Sequence, residues 1–342
     1  MIHLLDPNPQ PLLAWLSEHG HPPYRAAQIR KWLLQRRAGA FDEMTDLPKS
    51  LQKQLSDECR VRATQTAKHS QADDGTEKLL LQLSDGGRIE CVLLRDGRRR
   101  TICISTQVGC AMGCVFCASG LDGVDRNLTG GEIVEQMVLL ARQLPAEERL
   151  SHIVVMGMGE PLANLDELLP ALDLASSKDG LGISRRRITI STVGLPAAIR
   201  RLANDNARFE LAVSLHAPDD KLRNQLVPVN KTIGVQEIVA AADDYFSASG
   251  RRLTFEYVLL AGINDQPQHS RELGKLLRGR PALLNLIPYN PVAGLPYGTP
   301  SPDAVRKFRE TLEAAGLNVQ VRQRKGDKID AACGQLRRLA KL

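Results

Sequence analysis

The sequence predicts an α/β protein built on a partial (β/α)6 barrel, with a small helical N-terminal domain and a short β meander before it. Three observations predict this. From about residue 100, six short apolar runs alternate with helix-length segments, the pattern of strand–helix crossovers that makes a parallel sheet. Upstream, "DGG" at 85–87 and "DGR" at 96–98 separate β-type runs and read as tight turns. The first 60 residues carry helical spacing with polar faces. A doubly wound open sheet is the alternative arrangement. Either one gathers functional groups at the C-terminal ends of its strands.

In chain order, "PYRAAQIRKWLLQRRA" (23–38) sets Ala27, Ile29, Trp32 and Leu33 near helical spacing among Arg and Lys. "DLPKSLQKQLSDE" (46–58) opens on an Asp-Leu-Pro helix-entry pattern. The polar stretch 66–76, "QTAKHSQADDG", reads as a linker. The predicted division is a helical domain over 1–65, a linker and meander over 66–97, and a core over 98–342 that ends in a functional tail. Candidate core strands are 101–106, 152–157, 187–193, 209–216, 253–260 and 283–289. Candidate helices between them are 131–144, 165–177, 235–249 and 269–279. Such crossovers are right-handed almost without exception.

Apolar residues make up 43% and charged residues 25%, the balance of a soluble globular chain. No run of 18 apolar residues is present to span a bilayer, and the N-terminus lacks the basic and apolar regions of a signal peptide. The expected compartment is the cytoplasm, and no membrane partner is expected. Net charge is +6, and the basic residues clump at 95–100, 184–190, 321–328 and 337–341. Such clumps point to a polyanion such as nucleic acid, with a solvated face as the alternative for any one of them.

Four of the seven cysteines lie between Cys103 and Cys117, three of them as C-x3-C-x2-C: Cys110, Cys114 and Cys117. A reducing cytosol favours metal binding or catalysis over structural disulfides. Structural zinc takes four protein ligands, but residues 118–151 contain no Cys or His. Three thiolates suit a [4Fe–4S] cluster with one iron left open, which can bind a substrate through an amine and a carboxylate. Zinc and three unrelated thiols are the weaker alternatives. The second strand ends in "VVMGMGEPLAN", where glycines admit a ligand close to the backbone and Glu160 can accept from an ammonium group. Ser191, Ser214, His216 and Asn290 stand at later strand ends, positioned to line the same cleft. Cys333, in "GDKIDAACGQL", has small neighbours that suit a thiol on a mobile tail; a small buried apolar residue is the plainer reading.

The cysteine motif, "RNLTGGEIV", "VVMGMGEPLAN", "SLHAPDDKLRNQLVPVN", "TFEYVLLAGIND", "LIPYNP" and "GDKIDAACGQL" together resemble the RlmN/Cfr family of radical S-adenosylmethionine RNA methyltransferases, over residues 23–336. The resemblance implies a partial (β/α)6 radical SAM barrel after a helical RNA-binding-like domain. It implies that Cys110, Cys114 and Cys117 ligate one [4Fe–4S] cluster. Gly159, Glu160, Ser191, Ser214, Leu215, His216 and Asn290 would hold S-adenosylmethionine, with two molecules consumed per turnover. One methylates Cys333. The other is cleaved to a radical that takes hydrogen from the methylated Cys333, whose methylene then adds to a carbon of adenine. Glu90 would accept the ring proton. Cys103 would resolve the adduct through a disulfide with Cys333, a thiol exchange in outline.

The implied partners are 23S rRNA, with tRNA as a further substrate, and a reductant such as flavodoxin; the chain is expected to be a monomer. The segment "CASGLDGVDRNLT" departs from the Gln-Gly-Phe stretch of C2-methylating members and looks closer to the C8-modifying, antibiotic-resistance branch. The N-terminal module and "GDKIDAACGQL" favour C2. Another radical SAM reaction, or a non-enzymatic RNA-binding protein with a structural metal, leaves parts of this pattern without a role. Cys59 and Cys91 receive no role, and Cys91 should face away from Glu90 on one strand.

Overall fold

The computed structural model describes residues 2–336; the basic clump at 337–341 lies outside the described residues. Strand β1 (Ile2–His3) leads into α1 (Gln10–Glu18), α2 (Tyr24–Leu34) and α3 (Lys49–Glu58), and β2 (Cys59–Arg60) returns to pair with β1 in parallel. Leu12, Leu16, Ile29, Leu33, Leu51 and Leu55 bury the facing sides of the three helices, as helical periodicity requires.

An antiparallel meander follows: β3 (Thr64–Gln71), β4 (Glu77–Leu83), β5 (Arg88–Asp96) and β6 (Arg99–Cys103). Strand β3 corrects the expected linker at 66–76. Its side chains are mostly exposed because it is the edge of the sheet, so polarity there marks an uncovered strand rather than a loop. A small hairpin of β7 (Gln107–Gly109) and β8 (Val124–Asn127) frames the cysteine loop.

The crossovers then run α4 (Gly130–Ala141), β9 (His152–Val155), α5 (Leu165–Ser176), β10 (Ile188–Thr192), α6 (Pro196–Asn204), β11 (Glu210–Ser214), α7 (Asp220–Leu226), α8 (Val235–Ser249), β12 (Leu253–Leu259), α9 (Pro267–Leu277), β13 (Ala282–Pro288), α10 (Pro302–Ala314) and β14 (Asn318–Val321). Strands β6 and β9 to β14 pair in parallel, each beside the next in sequence. An unreversed order is that of a barrel wall, not of a doubly wound sheet, whose order turns back on itself. The sequence reading found six of these seven strands. The seventh, "NVQV", is short and carries only two apolar residues, so it gave no β signal. The full sheet has ten strands and remains open, ending at β14 on one side and β3 on the other.

Period-two alternation sets the two faces. In β12, Phe255, Tyr257 and Leu259 pack outward into the apolar core, while Thr254, Glu256 and Val258 line the concave side. Helix α4 is buried at every position and packs against α5 and β5. On it, Glu135 is fully buried and accepts from Ala63 N–H (2.8 Å), Thr64 N–H (3.1 Å) and Thr64 Oγ1 (2.6 Å), fastening the helical module to the barrel.

Candidate active site

The cysteine loop follows β7 at the C-terminal ends of the strands, where a barrel carries its chemistry. Cys110, Cys114 and Cys117 border a cavity of about 160 Å³ that also touches Gly159, Glu160, Ser191, Ser214, His216, Asn290 and Cys333. Residues from five strand ends and the C-terminal tail thus converge, as the sequence reading expected. Leu215, also named by the sequence reading, does not border the cavity: its side chain is buried in the apolar core and its carbonyl accepts from Arg223 (2.9 Å). All seven cysteines lie among the described residues and are free thiols. Burial pushes Cys110 up to about 11 and Cys114 and Cys117 above the ordinary thiol range; neighbouring thiols of the trio reinforce the rise at Cys110 and Cys114, and the Cys333 thiol reinforces it at Cys117. Among the described residues no three His, Cys, Asp or Glu side chains are arranged to hold a single metal ion.

Local geometry explains each placement. Gly159 sits at φ +103°, and a Cβ there would lie 2.7 Å from the Gln107 side chain, so the "GMGEP" turn requires glycine. Glu160 is buried and caps its own turn: it accepts from Leu162 N–H (3.0 Å) and from Val193 N–H (2.8 Å) at the end of β10. Burial raises its pKa above the usual carboxylate value, and those backbone donors oppose the rise. The Ser191 and Ser214 hydroxyls lie 3.5 Å apart on neighbouring strands. His216 adopts φ +63°, accepts at Nδ1 from Val258 N–H (3.1 Å) and meets the edge of Phe116 at 4.9 Å. Burial, with Arg223 nearby, lowers its pKa to about 3, so its imidazole is neutral.

Arg223, which the sequence reading did not single out, is fully buried. It donates to the carbonyls of Leu215 (2.9 Å), Ser214 (3.0 Å) and Val193 and to Asn230 Oδ1 (2.5 Å), stitching the ends of β10 and β11 together. Asn290 donates to the Cys333 carbonyl (3.1 Å), while its Oδ1 is buried with no partner among the described residues.

The tail is tied to the rest of the molecule on both sides of Cys333, by partners that the small residues around it did not suggest. Gly326 N–H donates to Asp74 (3.0 Å), Lys325 reaches Asp96 (3.0 Å), and Lys78 donates to the Asp330 carbonyl (2.9 Å). Beyond Cys333, the Gly334 carbonyl accepts from Ala118 N–H (2.8 Å), the Leu336 carbonyl from Ser119 (2.6 Å), and Gln335 donates to the Pro291 carbonyl (2.9 Å). Cys333 is thereby held against the cysteine loop.

Cys103, on the inward face of β6, has its pKa pushed up to about 12 by burial and by the nearby Cys333 thiol, with Arg322 opposing. Glu90 lies one strand away on β5, buried and paired with Lys78 at 2.8 Å. It borders neither this cavity nor the next one described. Cys91 faces the apolar core, as the strand alternation requires.

A second cavity, of about 580 Å³, opens from the N-terminal side of the strands. It shares Met156, Glu256, Ile287, Asn290, Arg322 and Cys333 with the first, so the two meet at Cys333. Three of the basic clumps converge on it: Arg99, Arg186 with Arg187, and Arg324 with Lys325. Arg99 and Arg187 both act on His152 between them, which joins burial in depressing its pKa. The sequence reading missed Glu256 and Asn285 here, and placed Arg322 only within the basic clump at 321–328. The one signal of Glu256 and Asn285 was a polar residue at an inward position of a largely apolar strand.

Comparison with known proteins agrees with this geometry. The family model described as the radical SAM superfamily matches residues 104–273, and that of the ribosomal RNA large subunit methyltransferase N-terminal domain matches residues 2–61. The crystal structure of a radical SAM methyltransferase from Sphaerobacter thermophilus is 43% identical and aligns at a TM-score of 0.95 over 98% of this chain and 99% of that one. A probable dual-specificity RNA methyltransferase RlmN from Rhodopirellula baltica is 65% identical over 98% of this chain and 91% of its own length. A protein of the same name from Symbiobacterium thermophilum is 46% identical, over 95% and 88%. The barrel and its thiol loop define a radical SAM protein. More narrowly, the chain belongs to the RlmN family of radical SAM RNA methyltransferases.

Proposed function

We propose that the protein methylates C2 of an adenosine in 23S rRNA and in tRNA, carrying the methyl group on Cys333. The observation that carries this reading is the meeting of the two cavities at Cys333, one bordered by three thiols and the other by basic side chains. Two substrates of very different size can therefore reach one sulfur from opposite sides. The substrate names borne by the relatives and the match of the N-terminal module support RNA, and that module with "GDKIDAACGQL" favours C2 over C8.

The residues fit the cofactors the family implies. Three half-buried thiols on one short loop that border the cavity suit a [4Fe–4S] cluster held by Cys110, Cys114 and Cys117. The orphaned Asn290 Oδ1, the Ser191 and Ser214 hydroxyls and the close backbone at Gly159 suit the polar end of S-adenosylmethionine, with Glu160 and His216 shaping the wall. When bound, these groups supply first a methyl group and then a carbon-centred radical, given one electron from a reductant such as flavodoxin. Cys333 holds the methyl at the junction and, after losing a hydrogen atom, presents its methylene carbon to the adenine ring. Glu90, held by Lys78 one strand from Cys103 and behind the wall of both cavities, is the acceptor the family resemblance implies for the ring proton, and the wall must open for the base to meet it. The adduct radical gives back the one electron that the reductant supplied. Cys103, as its thiolate, then attacks the sulfur of Cys333, so the carbon–sulfur bond breaks as the sulfur–sulfur bond forms. The freed carbon takes up a proton to become the methyl group, and a two-electron reductant reopens the disulfide. The thiol of Cys103 must first deprotonate, which the Arg322 guanidinium assists.

Mass spectrometry of nucleosides from RNA treated with the reduced enzyme tests the reading. It should show 2-methyladenosine, and 8-methyladenosine would contradict the regiochemistry. Cys333→Ala should still assemble the cluster but leave RNA unmethylated, and Cys103→Ala should leave protein covalently attached to RNA. Full methylation by Cys333→Ala would sink the carrier role.

A further inference from the structure

A barrel of this kind is ordinarily filled by branched apolar side chains pointing inward. Here one inward layer is polar. The strand register aligns Ser214 on β11, Glu256 on β12, Asn285 on β13 and Gln320 on β14. Glu256 is only 5% exposed and borders both cavities beside Cys333. Its Oε2 accepts from Asn285 Nδ2 at 2.8 Å. The nearest cation, Arg322, makes no ion pair with it within 4 Å among the described residues, although the two groups feel each other electrostatically. A carboxylate is an expensive group to bury on the wall of a cavity, and one hydrogen bond offsets only part of that cost. No structural task visible in the packing asks for it: its strand neighbours Phe255 and Tyr257 supply the apolar contacts on the other face.

We infer that Glu256, oriented by Asn285, is the specificity-determining residue of this site and accepts a hydrogen bond from the exocyclic amine of the target adenine. This rests on the proposed adenosine methylation. The chemistry is selective. Adenine offers an N–H donor at its six-position, whereas guanine and hypoxanthine offer a carbonyl oxygen there, whose lone pairs would face the carboxylate. Asn285 fixes the carboxylate by donating to one oxygen, and no hydrogen bond within the protein is seen to the other among the described residues. Glu256 stands at the junction of the two cavities, with Asn285 beside it on the wall of the second, where a base entering along the basic wall would meet Cys333.

The test compares short RNA substrates carrying adenosine, purine riboside or inosine at the target position, with wild type, Glu256→Gln and Glu256→Ala. Wild type should favour adenosine over purine riboside by roughly tenfold to hundredfold in kcat/KM, the worth of one hydrogen bond to a charged group. Glu256→Ala should bring that ratio close to one, and Glu256→Gln should lower it while narrowing the gap to inosine. An unchanged adenosine-to-purine ratio in both variants overturns the inference. Peptide mass spectrometry of Cys333 in each protein separates the causes. Variants that carry the methyl on Cys333 yet keep wild-type discrimination refute the role of Glu256 alone. A wild-type protein with no methyl on Cys333 overturns the underlying function as well.

Discussion

At the residue scale, the site depends on side chains whose environment overrides their ordinary chemistry. His216 is the plainest case. Unfolded, its imidazole takes a proton near pH 6.5; folded, it does so only near 3, because burial excludes the charge. Between those values the unfolded chain binds the extra proton, so stability falls as pH falls below about 6.5, by up to about 1.4 kcal/mol per unit from this group. His216→Asn keeps an acceptor for Val258 N–H and tolerates the positive φ, but cannot titrate. Urea titrations from pH 7 to 4 should show a shallower loss of stability in that variant. An identical slope would refute the account of His216. The sequence told which residues sit at strand ends, because strand periodicity and motif position are local. It did not show Arg223, because an arginine in "KLRNQL" reads as a solvated helix face until the strand ends fold over it. Glu256 escaped for a similar reason: one carboxylate in an apolar strand is visible, but its side of the barrel is decided by register.

Among elements, the C-terminal strap departs furthest from expectation. Small residues around Cys333 suggested mobility, yet distant partners hold the segment: the turns at Asp74 and Asp96, the loop at Ala118 and Ser119, and Pro291. None of these pairings is encoded nearby in sequence, so none was legible. The pivot is Gly326, at φ +69°, where a Cβ would lie 2.8 Å from Thr76 Cγ2 and 2.9 Å from Ala331 Cβ. Gly326→Ala should therefore strain the strap by about 1–2 kcal/mol while leaving the barrel folded. Iodoacetamide labelling of Cys333 should quicken roughly tenfold, with hydrogen exchange rising over 328–335. Unchanged labelling would mean that the strap does not control access. The misread edge strand β3 belongs to the same scale. Its polarity is what an uncovered edge needs, and polarity alone cannot separate such a strand from a linker.

For the whole molecule, strand order unites the parts. Consecutive parallel pairing from β6 through β14 bends the sheet one way and points every strand end toward one mouth. That mouth receives the thiol loop, while the opposite opening gathers three separated basic clumps around a second cavity. Cys333, brought back from the far end of the sequence, occupies the junction. The architecture therefore predicts a reaction in which the methyl group never passes directly from donor to base. With S-adenosylmethionine deuterated in the transferred methyl group, mass spectrometry of the methylated adenosine tests this directly. Transfer through Cys333 removes one deuterium before carbon–carbon bond formation, so the product methyl should retain two deuterons. A product that retains all three would show direct transfer and contradict the account.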